Sequence, residues 1–124
     1  MKKSSLFLAV LLARSIVVNA QGGFQRRTVE EDVAIAHHKI DSAFKLEAGK
    51  LTIVDAELAD YYKARDAKFQ EWFGGGSQPD GDTRMAEMKK LSDARDEKLK
   101  LVFTDEQYKK WIDEIEPSLP PQRP

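Results

Sequence analysis

The chain has 124 residues, of which 33% are charged, with 20 Lys and Arg against 21 Asp and Glu and no cysteine. A net charge of −1 gives no electrostatic reason to expect nucleic acid as a partner. The lack of cysteine excludes disulfides, a thiol nucleophile and an acylated lipoprotein cysteine, so a domain of this size must be held together by packing alone.

Residues 1–20 have the layout of a secretory signal peptide. Two lysines precede an almost wholly apolar run over residues 6–18, and a Val-Asn-Ala sequence ends at Ala20. The alternative is a retained membrane anchor, but thirteen residues are too short to cross about 30 Å of hydrocarbon as a helix, and Arg14 weakens either insertion signal. We therefore predict cleavage after Ala20. Because residues 1–20 contain three basic side chains and no acidic one, cleavage lowers the net charge to −4.

The next segment is predicted to be a flexible lead-in, residues 21–27, followed by a first helix. Thr28 and Glu31 have the T-x-x-E spacing of a capping box, which satisfies two free backbone N–H groups at a helix start. Apolar residues then recur at steps of three and four, which places them on one face of a helix. These residues are Val33, Ala36, Ile40, Ala43 and Phe44. The pattern breaks at 46–49, where we predict a tight turn.

A second apolar stripe predicts a helix of about 25 residues, near 40 Å long. The stripe consists of Leu51, Val54, Leu58, Tyr61, Tyr62, Phe69 and Trp72. Turn-forming residues follow over 74–81 and predict a loop. A third helix is predicted from Asp82 or Thr83 to Val102. Its inward-facing residues are expected to be Met85, Met88, Leu91, Leu99 and Val102.

The fourth helix is predicted to begin at a second capping box formed by Thr104 and Gln107. Phe103 and Tyr108 flank this box at the positions of a hydrophobic staple. The helix is expected to end at Pro117, and the proline-rich tail 117–124 to be extended and mobile. No segment has the pattern of a strand. The fold is therefore predicted to be all-α, with four helices in two hairpins, 1–2 and 3–4. A second helix this long favours pairing with another copy of the chain.

The sequence FTDEQ, which contains Phe103, Thr104 and Gln107, resembles the L-T-x-x-Q motif of the Spy/CpxP family of periplasmic proteins. That family carries the motif twice, and the matching first copy here, residues 46–50, keeps only the leucine. The segments 61–65 and 93–99 also look like secreted members, so the resemblance covers residues 28–116.

The resemblance implies a cradle-shaped helical homodimer in the periplasm that binds other proteins without ATP. Some members of the family hold unfolded or aggregation-prone clients, and others act in envelope-stress signalling. We therefore expect a chaperone-like protein without a cofactor. The alternative is a regulator that binds the outer domain of a membrane sensor, with metal responsiveness as a further possibility.

The residues themselves give no reason to expect catalysis. No serine has a G-x-S-x-G setting, and the paired carboxylates alternate with lysines as on solvated helix faces. His37 and His38 are weak metal candidates, because adjacent helix residues point about 100° apart and only one of them would join Asp41 on a single ion. The alternative, which we favour, is that both histidines are simply solvated.

Seven residues of the second and third helices are candidates for contacts with a client. Aromatic and methionine side chains beside the glycine-rich loop would supply apolar surface, and basic side chains with apolar stems would suit varied clients. The alternatives are core packing for the apolar members and solvated ion pairs with Asp66, Asp93 and Asp96 for the basic members. The candidates are Arg65, Lys68, Phe69, Phe73, Met85, Arg95 and Lys98.

Overall fold

The computed structural model of the chain describes residues 27–75 and 78–121. The predicted signal peptide and nearly all of the lead-in lie outside the described residues. Within the described ranges every regular element is a helix and no strand forms, which confirms the all-α prediction with four helices. We name them α1 (Val29–Phe44), α2 (Ala48–Phe73) and α3 (Gly81–Val102), followed by a C-terminal segment.

The C-terminal segment consists of three consecutive helical stretches. It begins as α4 (Asp105–Lys110), widens to a π-helix (Trp111–Ile115) and closes with a short α5 (Glu116–Ser118). None of the described helices combines the length and the apolar content needed to cross a membrane.

Both predicted capping boxes form. The Thr28 hydroxyl accepts from the Glu31 N–H at 3.1 Å, and the Glu31 carboxylate accepts from the Thr28 N–H at 2.8 Å. At the start of α4 the corresponding distances between Thr104 and Gln107 are 3.2 and 3.0 Å. Each box satisfies two N–H groups that a helix start leaves without a partner, so these two starts are fixed locally.

Replacing Thr104 by alanine is expected to lower the free energy of unfolding by about 1 kcal/mol, because the Gln107 N–H loses its acceptor. Thr104→Ser keeps a hydroxyl at the same position and serves as the control. Urea unfolding followed by circular dichroism measures both variants. Equal stabilities for the alanine and serine variants would show that the hydroxyl contributes nothing.

The turn between α1 and α2 lies slightly earlier than predicted. Lys45 adopts a left-handed conformation with φ 54°, and its N–H donates to the carbonyl of Asp41, which ends α1. Gly49 lies inside α2, whose N-cap residue Glu47 makes no side-chain capping bond. The α3 start is also earlier than predicted, because Asp80 accepts from the Thr83 N–H at 2.8 Å and caps a helix that begins at Gly81.

The last helix runs one residue past its predicted end at Pro117. The Glu116 N–H bonds to the carbonyl of Trp111, five residues earlier, so the helix is widened just before the proline. A proline normally clashes with the carbonyl four residues before it, and we attribute its tolerance here to the widened turn. Helix continues to Ser118, and Arg27 then donates to the carbonyl of Pro121 at 2.9 Å. This bond joins the end of the predicted lead-in to the middle of the predicted tail.

Helix α2 packs antiparallel against both α1 and α3, and so it joins the two predicted hairpins. The C-terminal segment packs against α1 and α3 and closes the core on that side. Nine residues from all four helical regions and the α3–α4 link form one buried cluster. They are Ala36, Ile40, Val54, Leu58, Tyr62, Leu99, Phe103, Trp111 and Ile115.

Tyr62 gives the core a pH dependence. Its side chain is buried, and this burial raises the pKa of its phenol from 10.0 to about 12. Between these values the unfolded chain loses the proton while the folded chain keeps it, so stability present below pH 10 is lost as the pH rises toward 12. From about pH 9 to pH 12, the free energy of unfolding should fall about 2 kcal/mol more for the wild type than for Tyr62→Phe. Parallel urea titrations of the two proteins should diverge; curves that stay parallel contradict the assignment.

Candidate functional site

Helix α1 is ten residues shorter than α2, and among the described residues no further helix continues α1 along the end of the α2–α3 pair near the glycine-rich loop. Val29, the first residue of α1, lines one groove together with Lys63, and α2 continues from Lys63 to Phe73 toward the glycine-rich loop. A groove of about 480 Å³ lies at this end. We call it the apolar groove; its lining consists of Tyr61, Phe69, Trp72, Phe73, Arg84, Met85, Met88, Lys89, Ser92 and Glu116.

Aromatic rings and thioethers make up most of the surface of the apolar groove. Trp72 is only 5% exposed, and the Phe69 ring lies 6.3 Å from both the Trp72 and the Phe73 rings. Phe73 is 39% exposed and Met85 is 73% exposed. Exposed apolar side chains around a buried ring are typical of a surface that contacts another molecule.

Three predicted client-binding residues, Phe69, Phe73 and Met85, therefore line one groove. The expectation that Met85 faces inward is wrong, because its side chain is 73% exposed. Trp72 is buried as predicted, while Phe69 is half-buried and open to the groove.

Charged groups border the apolar groove. The Arg84 guanidinium lies 5.7 Å from the centre of the Phe73 ring, within the range of a cation–π contact. Lys89 donates to Asp93 at 2.6 Å, and this hydrogen bond raises the pKa of the Lys89 ammonium. Glu116 of the C-terminal segment also lines the groove. The groove thus combines an apolar floor with charges of both signs at its edge.

Arg95, predicted as a client-binding residue, lies in the protein interior and contacts side chains of the chain itself. It is 5% exposed, and its guanidinium lies 4.4 Å from the Tyr61 ring and 5.2 Å from the Trp111 ring. Its Nε donates to Asp96 at 2.8 Å. A buried guanidinium with these partners holds α3 to α2 and to the C-terminal segment.

Arg65, also predicted as a client-binding residue, is largely buried and contacts side chains of the chain itself. Its guanidinium lies 4.8 Å from the Tyr62 ring, and its Nη2 lies 3.8 Å from the carboxylate of buried Asp32. Asp32 also accepts from Arg27 at 2.7 Å. The positions of the two arginines within the apolar stripes of the sequence indicate that both are buried. Arg65 lies three residues after Tyr62, and Arg95 lies four before Leu99, so each fills a gap in an apolar stripe.

Lys68 and Lys98 bridge α2 and α3 outside the apolar groove. Lys68 lies 3.7 Å from Glu87, and Lys98 lies 3.4 Å from Glu57. Both are ion-pair partners, but these partners are glutamates of the neighbouring helix and not Asp66, Asp93 or Asp96, which the alternative interpretation had named. Partly exposed pairs of this kind contribute little stability and help fix the register of the two helices.

The histidines lie at a different groove, between α1 and α2. His37 Nδ1 lies 2.8 and 2.9 Å from the two carboxylate oxygens of Asp55, and not against Asp41. His38 is exposed. Across residues 27–75 and 78–121, no three His, Asp or Glu side chains are grouped so as to hold a metal ion.

The residues of the FTDEQ motif have a structural role. Thr104 and Gln107 cap α4, and Phe103 is buried with its ring 5.1 Å from Phe44 and 6.4 Å from Trp111. None of them lines the apolar groove. The motif therefore attaches the start of the C-terminal segment to the core.

Comparison of the chain with models of known families, with curated proteins and with solved structures finds no match.

Proposed function

We propose that this protein is an exported, ATP-independent binding protein that holds unfolded or aggregation-prone clients in its apolar groove. One observation carries the proposal: Phe69, Phe73, Met85 and Met88 surround the buried Trp72 in an open groove of about 480 Å³. An unfolded chain exposes the apolar side chains that such a groove would remove from water.

The composition of the groove suits a client of variable sequence. Methionine is unbranched and has three rotatable bonds, so Met85 and Met88 would adapt to differently shaped side chains. Arg84, Lys89 and Glu116 offer both signs of charge at the edge of the groove. Many weak contacts of these two kinds favour broad specificity over tight binding of one partner.

The proposal also includes export of the protein and the pairing of two copies of it. Residues 1–20 have the sequence pattern of a signal peptide, and the FTDEQ motif resembles that of periplasmic Spy/CpxP proteins. The uncovered end of the α2–α3 pair exposes apolar surface that a second copy would extend into a wider concave face. The proposed activity involves binding and release and no bond-breaking chemistry.

An aggregation assay tests the proposal. Two unrelated enzymes are heated, each alone and with an equimolar amount of the purified protein, and light scattering is followed without nucleotide. Protection of both enzymes supports the chaperone-like function. Protection of neither contradicts it and favours the alternative, a regulator that binds the outer domain of a membrane sensor.

A further inference from the structure

The sulfur atoms of the protein are concentrated in the apolar groove. The chain has no cysteine and three methionines, at positions 1, 85 and 88. Met85 and Met88 both line the groove, one helical turn apart on α3. Apart from Met1, every sulfur atom of the chain therefore lies at the proposed client site.

Access to these two thioethers differs. Met85 is 73% exposed, whereas Met88 is half-buried beneath the groove surface. Oxidation of methionine requires contact between the oxidant and the sulfur, so an oxidant in solution reaches Met85 first. The chain has no thiol, and of the two thioethers within the described residues that of Met85 is the more accessible.

We propose that Met85 and Met88 are sites of oxidation, and that their oxidation lowers the affinity of the apolar groove for its clients. The oxidant class is a peroxide, represented by hydrogen peroxide. The sulfur lone pair attacks one peroxide oxygen, the O–O bond breaks, and a sulfoxide S–O bond forms. Sulfur is oxidised by two electrons, the peroxide is reduced by two electrons, and the second oxygen leaves as water after proton transfer.

The modification acts through polarity. A sulfoxide oxygen is a strong hydrogen-bond acceptor and is well hydrated, and it would stand in the same groove as Phe69 and Phe73. An apolar client side chain that enters the groove would displace that water without replacing its hydrogen bonds, which costs free energy. We expect about fivefold weaker binding, equivalent to about 1 kcal/mol. The inference rests on the proposed function, since it assigns regulation to the same groove.

The test uses the fluorescent apolar dye anilinonaphthalene sulfonate as the groove probe and the aggregation assay as a second readout. The protein is treated with hydrogen peroxide, freed of it, and examined by mass spectrometry for one added oxygen at Met85. Circular dichroism establishes that the helices persist. The expected result is about fivefold weaker dye binding and a matching loss of client protection. Methionine sulfoxide reductase should restore both.

The matched control is the double variant Met85→Leu/Met88→Leu, which keeps apolar side chains of similar volume and has no sulfur in the groove. Its dye binding before treatment serves as its own reference, and peroxide should leave that binding unchanged. Met85→Gln places a polar side chain at the same position and should bind weakly without any treatment.

Three results would overturn the inference. One is unchanged binding by wild-type protein that carries the added oxygen at Met85. Another is an equal loss of binding by the leucine variant, which would place the damage elsewhere, for example at Trp72. The third is untreated protein that binds no dye and protects no client; that outcome also overturns the proposed function, whereas the first two leave it standing.

Discussion

Replacing Trp111 by alanine is expected to lower the free energy of unfolding by about 3–5 kcal/mol. Trp111 is the largest of the fully buried side chains, and it contacts Phe103 and the Arg95 guanidinium. Its truncation would leave a cavity where the C-terminal segment meets α3. For a domain whose total stability is about 5–15 kcal/mol, this is a large fraction.

The expected loss has a polar component as well as a cavity. The indole N–H of Trp111 donates to Asp96 at 3.0 Å, and the same carboxylate oxygen accepts from Arg95. Removing the indole deprives the half-buried Asp96 carboxylate of one hydrogen-bond donor and the buried Arg95 guanidinium of one aromatic contact. Trp111→Phe keeps a six-membered aromatic ring, so it removes the N–H with a smaller loss of volume than alanine does; we expect it to cost about 1–2 kcal/mol.

Chemical denaturation followed by far-ultraviolet circular dichroism measures these variants. The exposed neighbour Ile112 provides the matched control, since Ile112→Ala on the same turn should change stability by less than about 1 kcal/mol. Equal effects of the two alanine substitutions would contradict the placement of Trp111 in the core.

The double variant Phe73→Glu/Met85→Glu is expected to weaken client binding at least about tenfold while the protein stays folded. Both side chains line the apolar groove and are partly or mainly exposed in the free protein. Replacing them therefore removes apolar contacts with a client and places two carboxylates in the groove without disturbing the core. The ratio of protein to client needed for half-maximal protection from aggregation measures the change.

The chain offers a control with the same chemistry. Ile53 and Leu101 are 50% and 87% exposed and lie outside the apolar groove. The variant Ile53→Glu/Leu101→Glu adds the same charge to the surface and should leave protection unchanged. If this control loses protection as the groove variant does, net charge rather than the groove governs the activity.

Several features could be predicted from the sequence because they depend on residues close together in the chain. The two capping boxes each need residues three positions apart, and both formed where the T-x-x-E and T-x-x-Q spacings indicated. The apolar stripes predicted the buried positions Ile40, Val54 and Leu58 for the same reason. Phe69, Phe73 and Met85 were also identified as candidates, from their composition and their closeness to the glycine-rich loop.

Only the tertiary structure decided which surface each side chain faces, because that depends on the relative lengths of helices distant in sequence. Met85 is exposed because α1 stops short of the far end of the α2–α3 pair, a relation that the spacing within α3 does not contain. His37 of α1 pairs with Asp55 of α2, which lies eighteen positions later in the chain. Arg95 is buried because rings from α2 and the C-terminal segment meet around it and Asp96 offsets its charge. Local spacing thus determined the helices and their caps, while long-range packing determined which polar groups lie inside and which apolar groups remain open to a partner.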